Sequence, residues 1–409
     1  MGVLEIIDKK RRGLSLDKNE LNEIFMGYND GKVEDYQMAS FLMAITINGM
    51  DFNETLALTD LMLYSGKKMD TKKINGIMVD KHSTGGVGDK TSLILGPVMA
   101  ALGYKMGKLS GRGLGITGGT IDKLESIPGF KVALSSDEFI YDLNKVGFTE
   151  CEQTSEFTPL DKKIYNLRSV TGTVSSIPLI ASSIMSKKLA VGADYILIDL
   201  KVGSGALVKT KREAVELANT MIDIGKAYNK MVIPVLTNMN RPLGDNVGNA
   251  LEVLEAMDVL KGKTGVLRDL VVELGSVLLS RCKKINLDKA TKEVLEVLDN
   301  GKAYDKFMEF VKVQGGDIDK IELARYLRPI VSNREGRLKD ISAEIIGTLS
   351  LELGGGRKKK GEKIDYGVGV VINKHIGDAI REGDVLCYLY QNDEVDRSTL
   401  ALEAFTIVK

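Results

Sequence analysis

The chain is poor in the side chains that most often advertise chemistry: it has two histidines and three cysteines in 409 residues, and its formal charges cancel to zero. Cys151, Cys282 and Cys387 are scattered, odd in number and without metal-ligand spacing. They read as reduced, partly buried thiols, which argues against a disulfide framework and a cysteine metal site. A balanced charge offers no general attraction for a polyanion or an anionic membrane surface, so any phosphate binding must be local. No apolar run approaches membrane-spanning length, and "MGVLEIIDKKRRG" carries charge too early for a secretory signal. It also lacks the Ser or Thr at position 6 that N-myristoylation requires. The expectation is a cytoplasmic protein with no nucleic-acid and no membrane partner.

What is present is ordinary for a folded soluble chain, at 44% hydrophobic and 27% charged residues, with length enough for two or three domains. Residues 1–65 carry apolar positions at three- and four-residue intervals, with Gly closing most segments and Ser15 and Asp51 at N-cap positions, and so predict a helical unit. From about 74, short apolar runs end in glycine-rich turns: "GIMVD" before "KHSTGGVGDK", "YKMGKL" before "SGRGLGITGGT", "DYILIDL" before "KVGSGAL". Each precedes a plausible helix, which predicts an α/β domain with a mainly parallel central sheet. Residues 161–192 are mostly helical and are expected to return to the first unit, making a small discontinuous helical domain of 1–65 and 161–192. The larger α/β domain is then 74–155 with 193–329, and 330–409, rich in short β runs, is a C-terminal α+β lobe.

Two glycine patterns are decoys. "TGGVGDKT" imitates the end of a P-loop, but the motif needs Gly at 84 and 89, where the chain has Thr84 and Asp89. Gly113 to Gly118 satisfy G-x-G-x-x-G, yet Ser110-Gly111-Arg112 separate the motif from the strand it should follow at once.

In an open α/β sheet, ligands gather beyond the carboxyl ends of the strands. There Lys81, Ser83, Ser92, Lys108, Ser110 and Thr120 bring cations and hydroxyls into or beside two glycine-rich turns. Glycine lets backbone N–H groups approach an anion, and the helix starts add positive partial charge. The set reads as a seat for inorganic phosphate. Taken singly, each is as readily a solvated loop side chain.

"KHSTGGVGDKTS" and "SGRGLGITGGTIDKLESIPGF" resemble the signature of the thymidine and pyrimidine-nucleoside phosphorylases. The likeness continues through "YNLRSVTGTVSSIPLIASSIMSKKLAVGAD", "DLKVGSGAL", "GDNVGNALEV" and "VGVVINKHIGDAIREGD", over essentially the whole chain. The resemblance implies reversible phosphorolysis of pyrimidine nucleosides to free base and α-pentose-1-phosphate, with inorganic phosphate as co-substrate and no organic cofactor. By the same resemblance Lys81, His82, Ser83, Ser92, Lys108, Leu109, Ser110 and Thr120 hold phosphate, and Arg168, Ser183, Lys187 and Leu114 bind the base. His82, Arg168 and Lys187 are the implied catalytic residues, His82 as proton or hydrogen-bond donor to the leaving base. As the glycosidic bond breaks, negative charge spreads over the ring, and cations aimed at it act more strongly there than on the neutral ground state. Ser183 and Lys187 stand four apart and so share a helix face. From pattern alone, Lys187 is equally a solvated helix lysine and Arg168 a surface ion-pair partner. His375 reads as structural.

Some relatives bind potassium, and the matching positions are Gly88, Lys90, Leu243, Asn246 and Glu255, where main-chain oxygens and a carboxylate suit a hard cation. The chain departs from the family at two places: Lys90 replaces a Thr of the potassium binders, and Ile116 stands where the loop usually carries His. The resemblance also implies domain closure about hinges near 66–80, 150–160 and 190–195, and a homodimer through the helical domain, for which Phe25, Met26, Phe41 and Met43 supply apolar surface. In having lysine at 108 the chain resembles the family members that accept both ribose and deoxyribose, which implies that uridine, thymidine and deoxyuridine are substrates. The alternatives are a thymidine phosphorylase restricted to 2′-deoxy sugars, a phosphoribosyltransferase or nucleotide phosphorylase on a similar fold, and a binding protein that has kept the fold.

Overall fold

The structure is a computed structural model that describes residues 2–113, 115–153, 156–359 and 361–409. The chain opens with α1 (Val3–Arg11), α2 (Lys18–Asn29), α3 (Asp35–Asn48) and α4 (Phe52–Tyr64). Then come β1 (Met78–Ser83), α5 (Thr91–Ala101), β2 (Lys105–Ser110), α6 (Thr120–Glu125), α7 (Ser136–Val146), β3 (Phe148–Glu152), α8 (Pro159–Thr171), α9 (Ile177–Val191), β4 (Tyr195–Val202), α10 (Lys211–Ala227) and β5 (Met231–Asn238). β6 (Asn246–Val247), α11 (Asn249–Leu260), α12 (Val266–Lys283), α13 (Leu287–Asp299) and α14 (Lys302–Val313) lead to a β-rich end. That end comprises β7 (Tyr326–Val331), β8 (Gly336–Ile341), α15 (Ala343–Glu352), β9 (Gly369–Ile372), β10 (Ala379–Ile380), β11 (Val385–Gln391), α16 (Ser398–Glu403) and β12 (Phe405–Val408).

The chain divides into two compact units. The first is Met1–His82, Gln153–Ile198 and Thr210–Pro234; the second is Ser83–Glu152, Asp199–Lys209 and Val235–Lys409. In the first, Leu21, Ile24, Phe25 and Tyr28 of α2 meet Met38, Phe41, Leu42 and Ile45 of α3 in a core joined by Leu160 and Ile164 of α8 and Leu179 of α9. The late helices therefore do return to the early ones. Apolar burial supplies the drive, and the caps set the boundaries. Asp51 accepts from Glu54 N at 2.9 Å while Glu54 Oε2 accepts from Asp51 N at 2.8 Å, the reciprocal box that satisfies two orphan donors. Ser15 is not a cap. Asp17 opens α2, accepting from Asn19 N and Glu20 N, because "DKNE" offers an acid at N-cap and a second at N3, and this register puts Leu21 and Ile24 inward.

The central sheet has the order β3-β2-β1-β4-β5. β2 and β3 are parallel, with Lys108 opposite Glu150 and Ser110 opposite Glu152. α5, buried along almost its whole length, is the apolar helix expected against such a sheet. In the β-rich end, β10-β8-β12 and β6-β9-β11-β7 form two further sheets, whose pairings are antiparallel. The α/β fold with a discontinuous helical part and a terminal α+β lobe is thus as the sequence implies. β6 lies far from β9 in sequence but pairs with it through Asn246 to Val371 and Val247 to Val370.

Candidate active site

Strand order reverses between β1 and β4, and such reversals are where open α/β sheets bind ligands. The loop leaving β1 is tied to β4 by Thr84, whose N–H donates to Asp199 O at 3.2 Å and whose hydroxyl accepts from Lys201 N at 2.9 Å. Lys81 and His82 lie on β1, not in the turn after it. Lys81 is fully buried, and its N–H donates to Asp80 Oδ1 at 2.7 Å. Ser83, the last residue of β1, bonds Asp89 through its Oγ and accepts from Gly85 N at 3.2 Å, while Asp89 Oδ1 accepts from Thr91 Oγ1 at 2.6 Å. Gly88 has φ +76°, and a Cβ there would lie 2.7 Å from Leu243 O, so glycine is required. Ser92 is buried in the first turn of α5, where the Thr91 N–H donates to Asp89 Oδ1 at 3.2 Å and the Leu93 N–H to Lys90 O at 3.0 Å.

At the end of β2, Lys108 Nζ donates to Ser110 Oγ at 2.7 Å and to Glu150 Oε1 at 3.1 Å. Ser110 Oγ donates to the same Glu150 oxygen. The period-two alternation of a strand puts residues 108 and 110 on one face, and the parallel register brings Glu150 opposite Lys108. Glu150 was missed by sequence reasoning. So was Asp89; neither stands at a spacing that singles it out. Leu109 is buried beside this set, Thr120 is the first residue of α6, and Leu114 lies outside the described residues. Ile116 packs by Gly347 of α15, where an added Cβ would meet it at 3.1 Å.

In the other unit, Ser183 and Lys187 sit one turn apart on α9, as their spacing demands. Lys187 Nζ donates to Ser183 Oγ at 2.8 Å and to Asp161 Oδ2 at 2.6 Å. Asp161, on the first turn of α8, is a further partner that the sequence did not reveal. Arg168 is 1% exposed; it donates to the carbonyls of Thr173, Val174 and Leu179 at 3.2, 2.7 and 3.1 Å. Burial lowers its pKa to about 10, against the opposing pull of Asp161. It is neither a surface ion-pair partner nor a solvated side chain: it holds the turn that joins α8 to α9. Of the positions matched to the potassium binders, Leu243, Asn246 and Glu255 accept hydrogen bonds from Lys90 Nζ, and Gly88 lies against the Leu243 carbonyl. His375 pairs with Asp245, Nε2 to Oδ1 2.9 Å, on an exposed surface.

The fold and its domain content define a glycosyltransferase. Residues 4–66 match the glycosyl transferase family's helical bundle domain, and residues 75–304 match its a/b domain. Residues 337–406 match the pyrimidine nucleoside phosphorylase C-terminal domain. The pyrimidine-nucleoside phosphorylase of Bacillus subtilis strain 168 is 47% identical over 402 residues, 96% of this chain and 93% of the relative. That of Staphylococcus haemolyticus strain JCSC1435 is 46% identical with the same coverage. The chain belongs to the pyrimidine-nucleoside phosphorylase family. The crystal structure of anthranilate phosphoribosyltransferase from Thermus thermophilus aligns with 76% of this chain and 99% of that one, at TM-score 0.59 and 18% identity, a likeness of fold.

Proposed function

We propose that this chain catalyses the reversible phosphorolysis of uridine, thymidine and 2′-deoxyuridine, giving free base and α-D-(deoxy)ribose-1-phosphate. Inorganic phosphate is the co-substrate and no organic cofactor takes part. The observation that carries the reading is that cation and hydroxyl are bonded to each other at both places where the reaction needs them: Lys108 with Ser110, and Lys187 with Ser183. Phosphorolysis requires a seated anion on one side of the sugar and a stabilised leaving base on the other. Lys81, Ser83, Ser92, Lys108, Ser110 and Thr120 serve the first requirement, and Ser183 and Lys187, with Arg168 bracing the turn before their helix, serve the second. His82, adjacent to Lys81 on β1, supplies a hydrogen bond or a proton to the departing base. The whole-length relatives named for this activity support the same reading.

A homodimer through the helical unit is part of the proposal. Phe25 and Phe41 are spent in that unit's own core, stacked edge to face at 5.5 Å. Tyr36, Met43 and Ile47 form an exposed apolar stripe along α3, and light scattering that finds a monomer would refute the dimer. Among the described residues no helix is long and apolar enough to cross a membrane. Three buried cysteines outside any disulfide suit a reducing cytoplasm. The deciding experiment follows release of free base from uridine, 2′-deoxyuridine and thymidine with and without phosphate. Release that needs no phosphate, or none at all, overturns the proposal.

A further inference from the structure

Lys90 is fully buried and forms the N-cap of α5 at the end of the glycine-rich loop. Its Nζ donates to Leu243 O at 2.9 Å, to Asn246 O at 2.6 Å and to Glu255 Oε2 at 2.5 Å. An ammonium has three N–H donors and no acceptor, so these bonds saturate it. Glu255 is itself held, accepting from Asp245 N at 2.7 Å and Asn246 N at 3.0 Å. Lys263 reaches to 3.8 Å of its other oxygen.

The main-chain oxygens and carboxylate proposed for potassium are therefore the oxygens that accept from Lys90. A metal ion there would have to displace the ammonium and then lie beside it in a buried site, where like charges repel strongly. The donor set does not fit potassium. An ammonium and a potassium ion are nearly the same size, carry the same charge and prefer the same oxygen donors. We infer that the Lys90 ammonium is a tethered monovalent cation in the potassium position, so that this chain fixes its glycine loop without a metal ion.

The consequence is positional. Asn246 begins β6, which pairs with β9, and Glu255 lies on α11. One cation thus ties the loop of Ser83 and Asp89 to a strand of the terminal sheet and to a helix. Lys90 Nζ spends its three donors on these oxygens and acts as a positioning residue. A covalent tether makes the cation permanent, and occupancy no longer depends on the salt outside.

The test compares salts at equal ionic strength, KCl against choline chloride, by melting temperature without substrate and by phosphate-dependent uridine cleavage, the second readout resting on the function proposed above. The wild type is expected to show the same melting temperature and rate in both salts; a potassium-specific rise in either overturns the inference. Lys90→Thr opens the donor set. It should lose on the order of ten- to hundred-fold in cleavage in choline chloride and regain most of it, with its melting temperature, in KCl. Lys90→Met fills the space without charge and should be equally impaired in both salts. If Lys90→Thr responds to KCl no more than Lys90→Met does, or folds in neither salt, the oxygens do not form a cation site and the inference fails. Melting reads the site whether or not uridine is the substrate, so its failure is distinct from failure of the proposed reaction.

Discussion

Each unit contains a lysine, a serine and a carboxylate bonded together, and the two triads differ in how they close. Lys108 and Ser110 stand two apart on a strand, and both spend hydrogen on Glu150 from the neighbouring strand. Lys187 and Ser183 stand four apart on a helix, and only the lysine reaches Asp161. In the strand triad the serine proton is committed to the carboxylate. In the helical triad Ser183 accepts from Lys187, which leaves its own proton to donate to a ligand. Exposure follows the same division, with the lysine side chains 6% and 14% accessible. The closed triad suits an anion that can replace Glu150 as acceptor for both groups, and the open one suits a neutral edge that must be recognised by a donor.

Removing the lysine tests the difference most directly. Lys108→Met leaves Glu150 buried without its cation and should cost about 3–5 kcal/mol in urea-induced unfolding. Lys187→Met loses a charged hydrogen bond nearer to water, about 1.5–3 kcal/mol. Equal losses would erase the distinction between closed and open triads. Lys108→Met should also cut uridine turnover more than thymidine turnover, because an apolar side chain would leave the 2′-hydroxyl unpaired at roughly 1–3 kcal/mol. An equal loss on both sugars would assign Lys108 to phosphate alone.

Arg168 comes next. It lies in the unit of the open triad but faces three carbonyls of its own turn. Arg168→Ala should destabilise the protein by about 1–3 kcal/mol for a buried acceptor left without a donor, and it should lower kcat as well as nucleoside affinity as the base of α9 shifts. Lysine there cannot fork to several carbonyls, so Arg168→Lys should recover little. Unchanged kcat with weaker nucleoside binding would show that Arg168 does not act on the transition state.

The two triads also show what a sequence can and cannot display. Lys108 with Ser110 and Ser183 with Lys187 were legible because each pair sits within one element, where the strand's period of two or the helix's turn fixes a common face. Glu150 and Asp161 were not, because the register between strands and the packing of α8 on α9 select them. Nothing local distinguishes them among 56 acidic residues. The same division runs through the fold. The α/β alternation was written in glycine-closed apolar runs, and α9 in its apolar period. The pairing of β6 with β9 was invisible because it joins distant segments. Arg168 was readable as a candidate, but its engagement with carbonyls depends on the αL turn at Gly172, φ +70°, which sequence spacing does not fix. At Lys90 the departure itself was visible, whereas the oxygens around it became evident only once residues 243–255 were folded against the loop.

A smaller effect is expected at Ser183. If its proton is the donor that recognises the base, Ser183→Ala removes one neutral hydrogen bond, about 0.5–1.5 kcal/mol, and leaves Lys187 on Asp161. Steady-state kinetics should show a several-fold rise in KM with kcat nearly unchanged, the signature of uniform binding. Ser110→Ala should differ by lowering phosphate affinity, because its partner carboxylate then faces the anion with one donor fewer. A matching pattern in both variants would mean that the proton inventory does not separate the triads.

The smallest effect concerns a carboxylate without such a triad. Asp142 on α7 is buried, and among the described residues no lysine or arginine forms an ion pair with it. Burial first, and then the Glu138 charge one turn away, push its pKa up to about 6 from 3.8. A carboxyl with a raised folded-state pKa holds its proton longer when folded than when unfolded. Its contribution to stability is therefore full below the unfolded value and lost as pH rises from about 4 through about 6. Asp142→Asn cannot ionise, so relative to wild type it should gain stability across that interval and keep the gain at neutral pH, by less than about 1 kcal/mol after screening. Glu150→Gln should do the opposite, since it replaces the carboxylate that accepts from Lys108 and Ser110. Urea midpoints for both variants at pH values on either side of the interval decide the matter. If both substitutions shift stability in the same direction, the lysine of the closed triad does not compensate its carboxylate, and the contrast between paired and unpaired buried acids fails.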